Sequence, residues 1–293
     1  MTITVLCNDN TTSLAFAEGQ TLLEIIRGEN LPVHAPCGGQ GTCEKCTVYL
    51  VTEAGEQAVL ACRTAAEDGM VVRLPSASPL TVELSAREED ICFTPDEGLC
   101  GYGVACDIGT TTVVCHLIDL ASGKKLATVG EGNAQRAYGG DVISRIKASM
   151  EGRRVALTAA ITTQLAGMIT ALCASAKIAV TEVSRMAIAA NTTMCHLLTG
   201  LSPDSIGVSP FIPLSRFGDE WDARALGLPF DGKVYLAPAI SGYVGGDITA
   251  DLLAVELDRA AKPALLIDVG TNGEMALGCG EHLVSCSTAA GCR

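Results

Sequence analysis

The sequence predicts two units of different class, an α+β domain followed by an α/β domain. Two observations carry this. Four cysteines, Cys37, Cys43, Cys46 and Cys62, fall within a short run of strand-like segments and one amphipathic helix. Further along, an Asp-x-Gly-Thr turn occurs twice, at residues 107–110 and 268–271, each time beside apolar strand sequence.

The first unit follows element by element. Residues 2–7 alternate like a strand, and 12–16 read as its hairpin partner. Residues 20–27 carry an apolar helical face that stops near Gly28. The cysteine loop comes next, then a strand over 47–51, Cys62 after Val59-Leu60-Ala61, and a last strand over 70–74. Two strands, a helix, a ligand loop and two more strands make a β-grasp order of the ferredoxin type, placed at 1–75. Pro75-Ser-Ala-Ser-Pro79 breaks the pattern and the charged run Arg87-Glu-Glu-Asp90 follows, so 76–103 reads as a linker. The second domain is placed at 104–293.

The cysteine spacing, C-x5-C-x2-C with a fourth thiol delivered later, suits a [2Fe–2S] cluster held by Cys37, Cys43, Cys46 and Cys62. Gly38, Gly39 and Gly41 let backbone N–H groups approach inorganic sulfide closely. Zinc is the rival. Its structural sites usually pair two C-x2-C knuckles, whereas only Cys43 and Cys46 form one here. Disulfides are a third reading. Cys92, Cys100 and Cys106 lie in or just past the linker without a glycine-rich loop, and read as buried or idle thiols.

Hydrophobic residues make up 48% of the 293, enough for a sizeable core. Fourteen cysteines without a visible secretory signal indicate a reducing, cytoplasmic compartment. The apolar stretch 155–180 is interrupted by polar residues, and Leu157, Ile161, Leu165, Ile169 and Leu172 recur at helical spacing. It is expected to be the buried face of a core helix rather than a membrane span. Net charge is −13, and residues 1–100 hold 15 acidic side chains against 5 basic ones. No basic footprint for nucleic acid is seen. The acidity suits steering towards a basic redox partner, or simply solubility.

In a turn of the Asp-x-Gly-Thr kind, glycine opens the backbone to phosphate, threonine adds a hydrogen bond, and the carboxylate can hold Mg²⁺ through water. Two copies in one chain are what a two-lobed nucleotide-binding fold needs. Gly245, Gly246 and Asp247 could present a helix N-terminus to phosphate, or could be a plain helix start capped by Asp247. His196, beside Leu197 and Leu198, reads as structural, and Cys195 and Cys279 as core thiols.

Asp107-Ile-Gly-Thr-Thr-Thr and Asp268-Val-Gly-Thr-Asn-Gly-Glu resemble the two phosphate motifs of the RNase H-like actin, Hsp70 and sugar kinase superfamily. Joined to the cysteine domain, and with Tyr138–Ile146, Asn191–Leu197 and Gly242–Thr249 as further matches, the chain resembles the reductive activators of corrinoid enzymes. That resemblance implies ATP-assisted reduction of a Co(II) corrinoid to Co(I), by a centre near about −400 mV fed by a low-potential donor. It implies catalytic Asp107 and Asp268 managing Mg²⁺. Gly109, Thr110, Thr111, Gly270, Thr271, Asn272, Gly245 and Gly246 would hold the ATP phosphates. A corrinoid protein or corrinoid methyltransferase component would be the partner, and a homodimer is compatible. The second lobe is expected to be incomplete, because Arg293 follows soon after the second turn. A plain ferredoxin-like carrier with an inert kinase-like half, and a redox-sensing kinase, are the alternatives.

Overall fold

A computed structural model of the chain describes residues 1–7, 10–29, 31, 33, 35, 39, 41, 44–52, 55–75, 98–280 and 282–288. Contacts divide the chain into two compact units, one of residues 1–81 with 135–148, the other of 82–134 with 149–293.

In the first unit the elements are β1 (Thr2–Cys7), β2 (Asn10–Ala15), α1 (Leu22–Gly28), β3 (Thr47–Thr52), β4 (Gly55–Leu60) and β5 (Val71–Arg73). They form one mixed sheet in the order β2-β1-β5-β3-β4, with β1 and β5 parallel and the other pairs antiparallel. Helix α1 starts at a capping box: the Glu24 N–H donates to the Thr21 hydroxyl, and the Thr21 N–H donates to the Glu24 carboxylate. Leu22, Leu23, Ile25 and Ile26 of α1 are buried in one core with Ile3, Val5, Val48 and Val72 of the sheet. Each such side chain contributes about 1.5–3 kcal/mol on burial. This is the expected β-grasp, with one strand more than the sequence pattern gives. The extra strand, β4, is an edge strand whose first four residues are exposed, so it carries no apolar alternation to read.

The second unit is built on a six-stranded sheet, ordered β10-β11-β9-β6-β7-β8. Its strands are β6 (Tyr102–Ile108), β7 (Thr112–Asp119), β8 (Lys125–Gly132), β9 (Val183–Ala190), β10 (Glu220–Asp222) and β11 (Lys233–Leu236). Strands β6, β9 and β11 run parallel, and the flanking hairpins are antiparallel. Helix α3 (Arg154–Ala176) packs on β7 and β8 and against α4 (Thr192–Thr199), and α5 (Gly246–Ala254) packs near β9. A second sheet is the antiparallel meander β12 (Ala264–Val269), β13 (Gly273–Cys279) and β14 (His282–Thr288). Helix α2 (Val142–Ala148), which precedes α3 in the sequence, belongs to the first unit.

By length and composition the helical stretch Val142–Ala176 would suffice to cross a membrane. It is broken at Gly152, whose φ of 89° no continuous helix adopts. Beyond the break, Leu157, Ile161, Leu165, Met168, Ile169 and Leu172 are buried, and α3 packs on β7, β8 and α4. The apolar face read from the sequence therefore covers a sheet.

Candidate functional sites

Two places in the chain gather chemistry. In the first unit, Cys46 is buried and ends the cysteine loop where β3 begins. Cys62 lies half-buried in the turn after β4. The fold brings them together: the Ala61 N–H donates to the Cys46 carbonyl at 2.9 Å, and the Cys62 N–H points at the Cys46 Sγ at 3.5 Å. Gly39 and Gly41 take φ of 99° and 74°, conformations that favour residues without a Cβ. Both cysteines are free thiols, and Gly39 lies close to Cys62. Two cysteines brought together in this way, beside glycines of positive φ, fit a diiron centre. Cys37, Cys43 and Gly38 lie outside the described residues, as does Cys92. Cys100 is exposed, whereas Cys106 is buried with its Sγ 3.2 Å from that of Cys115 in the neighbouring strand.

In the second unit, both Asp-x-Gly-Thr segments form the same local structure. Gly109–Thr111 is a three-residue turn between β6 and β7, and residues 270–272 are a three-residue turn between β12 and β13. Asp107 and Asp268 each stand next to last in the strand before the turn. The two turns face each other: the hydroxyls of Thr111 and Thr271 are 2.9 Å apart. Asn133 grips the first turn, its N–H donating to the Thr111 carbonyl at 2.9 Å and its Nδ2 to that of Gly109 at 2.8 Å. Asn191, the cap of α4, donates its Nδ2 to the Thr110 hydroxyl at 3.2 Å. Within the second turn, the Gly270 N–H donates to the Asn272 carbonyl.

Around these turns the carboxylates collect. Loss of water first, then the charges of Asp247, Asp251 and Asp268, raise the Asp107 pKa to about 6. Asp107 is exposed by surface area, yet it lines a concavity with Ala105, Cys106 and Pro238, where water is partly displaced. Asp247 is likewise raised to about 6, chiefly by burial. Glu274 is buried and reaches about 7, by desolvation and then by Asp247. Register explains its place: Glu274 pairs with Asp268 across β12 and β13, and with Ser287 of β14, whose hydroxyl donates to it at 3.2 Å. Asp251 follows Asp247 by one helical turn of α5, and burial raises its pKa too.

Raised carboxyl pKa values fix a sign. The fold holds protons that the unfolded chain has already released, so these groups cost stability once they ionise. With Mg²⁺ removed, stability should fall as pH rises from about 4 to about 7. Added Mg²⁺ should restore it above that window and do little at the acid end. Thermal melts across pH, with chelator and with Mg²⁺, check this; a metal-independent profile would count against a cation at these carboxylates.

Gly245 and Gly246 open α5, and Gly245 is the cap, with Asp247 already inside the helix. The alternative in which Asp247 caps the helix is thus corrected: its Oδ1 accepts from the Ile248 N–H within the first turn. Gly245 is held by close approach, since a Cβ there would stand 2.5 Å from the Asn191 Cα. The starts of α4 and α5 therefore abut, which places Gly245 beside the residue that grips Thr110. Gly246 packs against the Ala237 carbonyl.

His196 is fully buried and structural. Its Nδ1 bonds the Thr192 carbonyl, its Nε2 accepts from the Ser215 N–H, Phe217 meets it edge-on, and burial lowers its pKa. Cys195 is buried as expected, whereas Cys279 is exposed on β13. In the Tyr138–Ile146 segment, the enclosed Arg145 donates Nε to the Gly139 carbonyl at 3.0 Å, and burial lowers its pKa to about 9.

Three family models match the chain. A 2Fe-2S iron-sulfur cluster binding domain matches residues 5–67, the RACo middle region matches 102–260, and the C-terminal domain of RACo, the ASKHA domain, matches 262–292. The corrinoid activation enzyme RamQ of Eubacterium limosum is 31% identical over 346 residues, covering 92% of this chain and 58% of the relative. The [Co(II) methylated amine-specific corrinoid protein] reductase of Methanosarcina barkeri is 29% identical over 202 residues, covering 65% of this chain and 36% of its own length. A solved structure, a reductive activator for corrinoid, iron-sulfur protein, superposes with a TM-score of 0.65 at 27% identity, covering 99% of this chain and 63% of that one. The chain thus spans less than two thirds of each of these relatives.

Proposed function

Because the chain belongs to the RACo family, whose middle-region model alone spans more than half of it, we propose that it is an iron–sulfur electron-transfer protein that reductively activates a corrinoid protein. The substrate centre is a Co(II) corrinoid, which gains one electron to become Co(I), and the electron enters from a low-potential donor. ATP assists the step. In this reading residues 1–75 are the redox domain, 76–103 a linker and 104–293 the nucleotide-binding part, in a cytoplasmic protein.

The observation that carries the reading is the meeting of Cys46 and Cys62, since without a redox centre there is no electron to deliver. Cys37, Cys43, Cys46 and Cys62 would hold the [2Fe–2S] cluster, which supplies a one-electron carrier of low potential when bound. Cys62 is half-buried rather than enclosed, which suits electron exchange at the surface.

Thr110, Thr111, Thr271 and the backbone of both turns would bind phosphate oxygens, with Gly109, Gly270 and Asn272 shaping the turns and Gly245 and Gly246 supporting them. Asp107 and Asp268, backed by Asp247 and Glu274, would hold Mg²⁺ and its water. A nucleotide lying between two facing turns has contacts on both, so its presence biases how the turns are spaced, and that bias is a source of work for an uphill transfer.

The test is anaerobic. Reduced protein, MgATP and a Co(II) corrinoid protein are mixed and the Co(I) absorption band is followed. The band should rise with nucleotide and stay low without it. Its absence in the presence of every component would reject the assignment.

A further inference from the structure

Two arginines hold the backbone of the cysteine loop on either side of Cys37. Arg27, in the last turn of α1 and only 9% exposed, donates Nη2 to the Ala35 carbonyl at 3.0 Å. Arg63 directly follows Cys62 and donates Nη2 to the Gly41 carbonyl at 2.6 Å. Gly41 has a φ of 74°, and a Cβ there would stand 2.8 Å from the Arg63 Nε, so the guanidinium lies against bare backbone. A neutral donor would satisfy either carbonyl. What arginine adds is a permanent charge in the most acidic part of the chain, where residues 1–100 hold 15 acidic and 5 basic side chains.

We propose that Arg27 and Arg63 are positioning residues that raise the reduction potential of the cluster and help retain it. The inference rests on the reading that Cys37, Cys43, Cys46 and Cys62 bind a diiron centre. Four thiolates leave such a centre net negative, and an added electron makes it more so. Positive charge beside the ligand loop therefore favours the reduced form, against the acidic excess of residues 1–100. Arg27 is enclosed and little screened by salt; Arg63 is more open and acts more weakly. The two charges let an acidic domain, suited to a basic partner, still accept an electron.

The experiment is a redox titration of the anaerobically reconstituted full chain, with cluster content and the rate of cluster loss to a chelator measured alongside. Arg63→Gln and Arg27→Gln should each shift the midpoint to more negative potential, Arg27→Gln further, and should speed cluster loss severalfold. Arg63→Lys and Arg27→Lys, which keep the charge and lose the fork, should hold the wild-type midpoint. Unchanged midpoints in both glutamine variants would overturn the proposal. If a glutamine variant takes up no cluster, its lysine counterpart decides: a wild-type midpoint supports the proposal and a lowered one overturns it. A wild-type chain that takes up no cluster would instead reject the reading beneath it.

Discussion

Cys62→Ser is expected to give a chain that folds and carries almost no iron. Cys62 is half-buried and lies in a turn fixed by backbone bonds, the Ala61 N–H to the Cys46 carbonyl and the Arg63 N–H to that of Leu60. Those bonds survive the substitution, so the β-grasp should form as before. What is lost is a soft thiolate; a serine hydroxyl is a hard, weakly acidic ligand for a centre that wants sulfur. Losing a supporting outer-shell partner alone typically weakens metal retention ~10–100-fold, and a direct ligand should matter at least as much. The same change at Cys46 is less clean. That thiol is buried in the core of the first unit, where a hydroxyl without a partner costs about 1–3 kcal/mol, so fold and cluster would suffer together. Iron and sulfide analysis beside far-ultraviolet circular dichroism separates the two outcomes. A Cys62→Ser protein with full colour would remove Cys62 from the ligand set.

Asp268→Asn should move two properties in opposite directions. Asp268 stands beside the second turn, pairs with Glu274 across the hairpin, and adds to the charge that raises the pKa of Asp107, Asp247 and Glu274. Removing its charge relieves that repulsion, so the metal-free protein should become more stable near neutral pH and its stability should depend less on pH. The carboxylate is also the proposed anchor for Mg²⁺ and its water, so MgATP binding should weaken by ~10–100-fold, as for loss of a well-placed metal-site partner. Calorimetric titration with MgATP and thermal melts with chelator give both readings on one preparation. A variant that binds MgATP as well as the parent would show that the nucleotide does not use this side of the site. One that binds weakly because it is less stable would show a structural role instead.

Much of this was open to reading from residues alone, for physical reasons that differ between elements. Strand β1 and helix α1 bury one face each, so their apolar periodicity stood out. Strand β4 is exposed along most of its length and left no such trace. The twin turns were visible because glycine and threonine must follow the aspartate closely in sequence. Their partners were not. Asn133 reaches the first turn by folding back from the end of β8, and nothing near it in the chain marks that path. Glu274 ends the second motif, but its neighbour Ser287 on β14 lies thirteen residues on and meets it only once the meander forms. Asp251 had a weaker signal, its one-turn spacing from Asp247. Sequence leaves the cap of α5 open between Gly245 and Asp247 because aspartate is a common cap, whereas at the observed cap only glycine fits against Asn191.

The hydroxyl pair formed by Thr111 and Thr271 bears on what an incoming ligand must give up. A neutral bond of that kind is worth only about 1 kcal/mol net. While it lasts, the two side chains keep each other occupied, one from either hairpin, instead of each wearing its own shell of solvent. A phosphate oxygen arriving between them would exchange one modest partnership for two stronger, charge-assisted ones. The two hairpins are thus joined here at little expense, and on the proposed reading a phosphate group would be what parts the hydroxyls.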